Sequence, residues 1–152
     1  FKNVYYLNGH ATDLEEECTR YTSLLSQFPT DIVCLGIGEN GHIAFNDPDV
    51  ANFNDHKLVK IVKLDHVCRQ QQVNEKCFET LEQVPTEALT LTIPALLKAK
   101  WMFCIVPFKN KSQAVYRTIH GDISEKCPAS ILRRKEKSSL YLDTESAQLL
   151  NL

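Results

Sequence analysis

The hydrophobic positions of this chain fall into blocks whose period switches between that of a helix and that of a strand. Leu14, Cys18, Tyr21, Leu25 and Phe28 recur at helical spacing as far as Pro29, behind a Thr12-x-x-Glu15 capping box, and predict an amphipathic helix. Asp31 to Leu35 is a short continuous apolar run, the pattern of a strand buried on both faces, and Trp101 to Val106 repeats it. Lys57 to Leu64 reads as a strand of mixed exposure. Asp65 can cap a polar helix after it that runs through Arg69 and three glutamines. Ala88 to Ile93 alternates like a strand, and Pro94 suits the first turn of a short helix through Lys98. Lys109 to His120 predicts a helix stopped by Gly121, Ser139 to Leu142 a last strand, and Thr144 the start of a short terminal helix.

Strands alternating with helices predict an α/β fold with a mainly parallel sheet covered on both faces. Ligand crevices of such sheets lie beyond the carboxyl ends of strands, and residues 36 to 47 follow one directly. There Gly36, Gly38 and Gly41 let the backbone turn and approach a ligand closely. The spacing also matches G-x-G-x-x-G, but Pro48 arrives too soon for the long helix that a dinucleotide site requires. His42 follows the glycines. An unperturbed imidazole titrates near about 6.5, so it can take and return protons near neutrality, and Asp47 is close enough in a curled loop to orient it.

Composition narrows the setting. The 152 residues suit one domain, and 43% hydrophobic with 24% charged residues is a globular balance. A net charge of -2 gives no electrostatic reason to expect nucleic acid or a membrane surface as partner. The six cysteines lack a C-x-x-C pair, which favours reduced thiols and a cytoplasmic protein. His10, His56, His66 and His120 are scattered without ligand spacing, so neither a metal nor another cofactor is expected.

Leu35-Gly-Ile-Gly-Glu-Asn-Gly-His-Ile-Ala-Phe-Asn-Asp-Pro48 resembles the signature of the glucosamine-6-phosphate deaminase (isomerase) family, within the wider group that includes the 6-phosphogluconolactonases. Leu7-Asn8-Gly9, Glu17-Cys18, Gln83-Val84-Pro85, Ala88-Leu89-Thr90 and Lys111 fall in the family's order and spacing, so the resemblance covers the whole chain. It implies a Rossmann-like sheet, with residues 1-152 as the C-terminal part of a single isomerase-like domain. The first strands, a phosphate loop and the carboxylate that moves the C2 proton are then expected upstream, and the isolated piece is expected to be inactive.

For single residues, the resemblance implies that His42 opens the sugar ring, assisted by residues matching Asp47 and Asn40. The family more often has glutamate at the first of these and usually aspartate at the second. Asparagine cannot ionise, so Asn40 can orient the histidine but not charge-stabilise it. Gly36 and Gly38 match backbone positions that line the sugar, Lys111 matches a phosphate-binding lysine, and Arg69 is the candidate for the phosphate-binding arginine. Val50 stands where allosteric members bind their effector, which argues against that regulation. The expected activity converts glucosamine 6-phosphate to fructose 6-phosphate and ammonia, with a sugar phosphate as the partner and a homo-oligomer open. A galactosamine-6-phosphate isomerase, a 6-phosphogluconolactonase-like hydrolase and a non-catalytic sugar-phosphate-binding domain remain as alternatives. Ile43-Ala44-Phe45-Asn46 disfavours the lactonase, whose signature continues differently.

Overall fold

A computed structural model describes residues 2-151. Helix α1 (Leu14–Gln27) opens the regular structure, but its cap is one residue later than the capping box predicts. The Asp13 carboxylate accepts from the backbone N–H groups of Glu15 and Glu16, at 2.9 and 3.0 Å. A carboxylate at the cap satisfies two orphan donors and also meets the positive end of the helix dipole, which the Thr12 hydroxyl cannot do.

Two sheets follow. Strands β1 (Ile32–Leu35), β4 (Trp101–Val106) and β5 (Ser138–Leu142) form a parallel sheet in the order β1-β4-β5. Strands β2 (Val59–Lys63) and β3 (Glu87–Leu91) instead pair with each other, antiparallel, with Ile61 opposite Leu89. The expectation of an α/β fold with a parallel sheet holds, with this ribbon as a separate part. Helix α1 packs on β2, where Cys18, Val59 and Leu89 make a small second core.

Helix α2 (His66–Asn74) starts as expected, with Asp65 accepting from the Cys68 N–H at 2.6 Å. Helix α3 (Ile93–Leu97) has Thr92 as its cap and carries Pro94 in its first turn. The helix expected over 109-120 divides into a 3-10 turn, Lys109–Lys111, and helix α4 (Ser112–His120). After β5 the terminal helix is replaced by consecutive turns over 144-149. Asp143, exposed there, accepts from the N–H groups of Ser146 and Phe108, so it organises a turn instead of a helix.

Strands β1 and β4 are not buried on both faces. Met102, Cys104 and Val106 point into the main core with Ile37, Ile43, Ile93, Val115 and Ile131. The opposite face carries Ile32, Trp101, Ile105 and Tyr141, exposed by 55, 41, 48 and 53%. Register makes these one patch, since Ile32 pairs with Trp101 and Ile105 with Tyr141. The apolar composition of the strands was read correctly, but only the helices packed nearby decide which faces are covered. A continuous apolar sheet face, with β1 and β5 as open edges, favours association. The 152-residue chain expressed alone should therefore sediment as dimers or larger species at micromolar concentration, and Ile105→Lys should shift it towards monomer. A monomeric wild type with a cooperative melt would contradict this.

Candidate active site

The loop after β1 closes on itself before it reaches the histidine. Gly38 N–H donates to the His42 carbonyl at 2.9 Å and Gly41 N–H to the Gly38 carbonyl at 2.9 Å. Gly41 has a φ of 93°, which a side chain would strain. Gly38 meets a different constraint. A Cβ there would lie 2.2 Å from His42 Cε1 and 2.4 Å from both ring nitrogens, so the imidazole rests directly on the Gly38 backbone. Asn46 pins the far side, donating from Nδ2 to the carbonyls of Ile43 and Leu91.

His42 Nδ1 lies 2.9 Å from Asp47 Oδ1, and both residues are buried. The ring N–H does not point squarely at that oxygen, so the hydrogen bond is a bent one. Burial alone would raise the Asp47 carboxyl. The contacts from His42, Asn40 and the Asp65 N–H outweigh it and hold the group below the usual carboxylate range. Asp47 is thereby kept ionised beside the imidazole.

Asn40 sits beside this pair and bonds the Asp47 carboxylate and the His42 backbone, not a ring nitrogen. Its Oδ1 accepts from the His42 backbone N–H at 2.9 Å, and its Nδ2 donates to Asp47 Oδ1 at 2.9 Å and Asp65 Oδ2 at 2.8 Å. An amide is the group for this position because it separates two carboxylates with donors. A third carboxylate would repel both.

Lys111 reaches the same cleft from the far end of β4. The cleft, about 380 Å³, is lined by Gly36, Gly38, His42, Gln71, Phe108 and Lys111 among others. Lys111 stands at the N-cap of α4 and is buried, as the expectation of a lysine at a helix opening requires. Arg69 is placed elsewhere. Its guanidinium donates to the carbonyls of Leu81 and Val84, at 2.6 and 2.9 Å, tying the 3-10 turn Leu81–Gln83 to α2, and it does not line this cleft. Arginine beside a loop of orphan carbonyls is recruited to satisfy them, a use that sequence spacing does not reveal.

The sequence reading missed several neighbours. Cys68 contributes a sulfur within 4.8 Å of ligand atoms of His42 and Asp47, a geometry that invites a metal. Burial first, then the charges of Asp47 and Asp65, push its thiol up to about 12. Without a metal the thiol stays protonated and packs as a small, weakly polar core group. Gln71, on α2, and Glu75, its C-cap residue, also line the cleft, and their i,i+4 spacing was the only sequence signal for them. Phe108 lines its mouth with φ 81° and ψ 146°, a conformation that is close to glycine-only. Its ring is 62% exposed, so Phe108→Gly removes strain while losing little packing. It should stabilise the fold by about 1 kcal/mol, the relief outweighing the added entropy of an unfolded glycine. A lower melting temperature for that variant would contradict the strain.

Fold and site together define an α/β protein with a buried histidine–carboxylate pair and a buried lysine at the carboxyl ends of parallel strands. Residues 1–141 match the family described as glucosamine-6-phosphate isomerases/6-phosphogluconolactonase, and the chain belongs to it. It is 43% identical over 149 residues to a glucosamine-6-phosphate deaminase of Bacillus cereus (strain B4264), covering 98% of this chain and 55% of that protein. It is 41% identical over 150 residues to one of Listeria monocytogenes serotype 4a (strain HCC23), covering 99% of this chain and 62% of that protein. The solved structure of a monomeric glucosamine-6-phosphate deaminase superposes with a TM-score of 0.88 at 38% identity, over 95% of this chain and 58% of that one. A 6-phosphogluconolactonase from Trypanosoma cruzi, 18% identical with a TM-score of 0.66 over 90% of this chain and 52% of its own, shares the fold. The chain thus spans a little over half the length of these relatives. Among the described residues no helix is long and apolar enough to cross a membrane.

Proposed function

We propose that these residues form the ring-opening and phosphate-anchoring part of an amino-sugar phosphate deaminase, acting on glucosamine 6-phosphate. One observation carries the reading: His42, backed by an ionised Asp47, shares a cleft with the buried cation of Lys111. A sugar phosphate presents an acidic hydroxyl at one end and a dianion at the other. The cleft offers a proton-transfer group and a cation to match.

Asp47 favours the tautomer that carries its proton on Nδ1, which leaves Nε2 as the base. Nε2 takes the proton of the anomeric hydroxyl and returns one to the ring oxygen as the C1–O5 bond breaks, giving the open-chain aldehyde. Gly36 and Gly38 keep the backbone low beside the sugar, and Asn40 acts as a positioning residue through Asp47. Proton transfer from C2 to C1 and replacement of ammonia by water call on the further carboxylate that the resemblance puts upstream. The relatives' names support this substrate, and the Ile43-Ala44-Phe45-Asn46 stretch favours it over a lactone.

The reading is tested with glucosamine 6-phosphate and the complete protein. Ammonia release, together with anomer exchange faster than the spontaneous rate by NMR, is expected. Hydrolysis of 6-phosphogluconolactone with neither of these would overturn it.

A further inference from the structure

Lys111 is not free to meet a ligand. Its Nζ is 3.0 Å from Glu75 Oε1, and the lysine side chain is 6% exposed against 43% for the glutamate. The same Glu75 oxygen accepts from Gln71 Nε2 at 2.8 Å. Gln71, itself buried, uses its Oε1 to accept from the Glu39 N–H at 3.0 Å, so the carboxylate is tied through one side chain to the loop that carries His42. Glu75 and Lys111 both line the cleft. The cation assigned to the phosphate is thus already neutralised, by an anion that reaches in from the solvent side.

Glu75 is also built to leave. It is the C-cap residue of α2, past the last helical turn, and the next residue, Lys76, reverses the chain with a φ of 60°. Its side chain is half in water, whereas Lys111 has nowhere else to go. Resting on our reading of Lys111 as the phosphate anchor, we propose that Glu75 is an internal competitor for the substrate's phosphate, a specificity-determining residue that must swing out of the cleft before a ligand docks. A ligand then has to outbid a carboxylate for a buried ammonium. A phosphate dianion, with twice the charge and three acceptor oxygens, can do so, while a neutral sugar or a singly charged sugar acid gains little.

The experiment titrates inorganic phosphate and glucosamine 6-phosphate into the wild type, Glu75→Gln, Lys111→Gln and the double variant, by calorimetry. Glu75→Gln should bind both anions about tenfold more tightly than the wild type, and the gain should vanish when Lys111 is absent. Wild-type affinity equal to or above that of Glu75→Gln, with a clear loss in Lys111→Gln, would overturn the competition and leave the anchoring role standing. If Lys111→Gln changes nothing in either background, it is the anchoring reading that fails. A second readout needs no variant. At phosphate saturation the Gln71 side-chain amide of the wild type should shift in NMR as it loses its Glu75 partner, and an unmoved resonance at full occupancy counts against the proposal.

Discussion

Replacing His42 by glutamine in the complete protein should lower turnover on the cyclic sugar phosphate by about 10²- to 10⁴-fold, the usual contribution of a positioned acid/base group. Glutamine keeps polarity and approximate length but cannot carry a proton between two oxygens. Because Lys111 stands at the opening of α4 and its Nζ pairs with Glu75, not with His42, the proposed phosphate anchoring should survive and KM should change little. Lys111→Ala should behave in the opposite way, acting mainly through substrate affinity. Substrate supplied in open-chain form should recover part of the His42→Gln loss, since only ring opening needs that proton transfer. Steady-state kinetics on both substrate forms checks all of this. Equal kcat for His42→Gln and wild type on the cyclic form would return residues 36 to 47 to the role of a glycine-rich turn.

The second large effect should come from a residue with no side chain. Gly38→Ala would put a methyl carbon 2.2 Å from His42 Cε1, and the obstacle is a ring that also contacts Asp47, through Nδ1, at 2.9 Å. The imidazole cannot retreat without giving up that contact, so the geometry is lost even though every ionisable group remains. Turnover should fall nearly as far as in His42→Gln, by about 10²-fold or more, since a misplacement of an ångström is enough for such a loss. The double variant is the sharper measurement. If alanine acts by expelling the ring, then adding His42→Gln to Gly38→Ala should cost little more. Gly9→Ala serves as the control, because a Cβ there would meet nothing within 4 Å and Gly9 does not line this cleft. Full additivity of the two substitutions, or an active Gly38→Ala enzyme, would show that the ring does not depend on that bare backbone.

Glu75 complicates the reading of either experiment in a useful way. With a carboxylate resting on Lys111, the cleft before ligand arrives is organised by two polar pairs, His42 with the ionised Asp47 and Lys111 with Glu75. The first is internal to one loop and reinforced by Asn40 and Asp65. The second joins two elements, and one of its members faces solvent. Ligand binding should therefore rearrange the second pair and leave the first in place.

What the sequence by itself determined was local. Helices α1 to α3 and strands β1 to β5 were legible because their signals lie within a few residues: a period of hydrophobicity, a capping Asp65, a Pro94 in a first turn. The His42–Asp47 pairing was legible for the same reason, since five residues of a glycine-rich loop can curl on themselves. Even so, the local signals left the cap of α1 one residue out and turned 144-149 into a helix, because competing side chains, Asp13 and Asp143, settled the hydrogen bonding. Only the tertiary structure decided the rest. Parallel pairing of β1 with β4, almost seventy residues apart, is what brings Lys111 to the cleft of His42, and no periodicity encodes that partner choice. Arg69 was drawn to the carbonyls of Leu81 and Val84, and Glu75 to Lys111, by the same force: a buried charge or orphan polar group takes the complementary partner that packing supplies, wherever it stands in the chain.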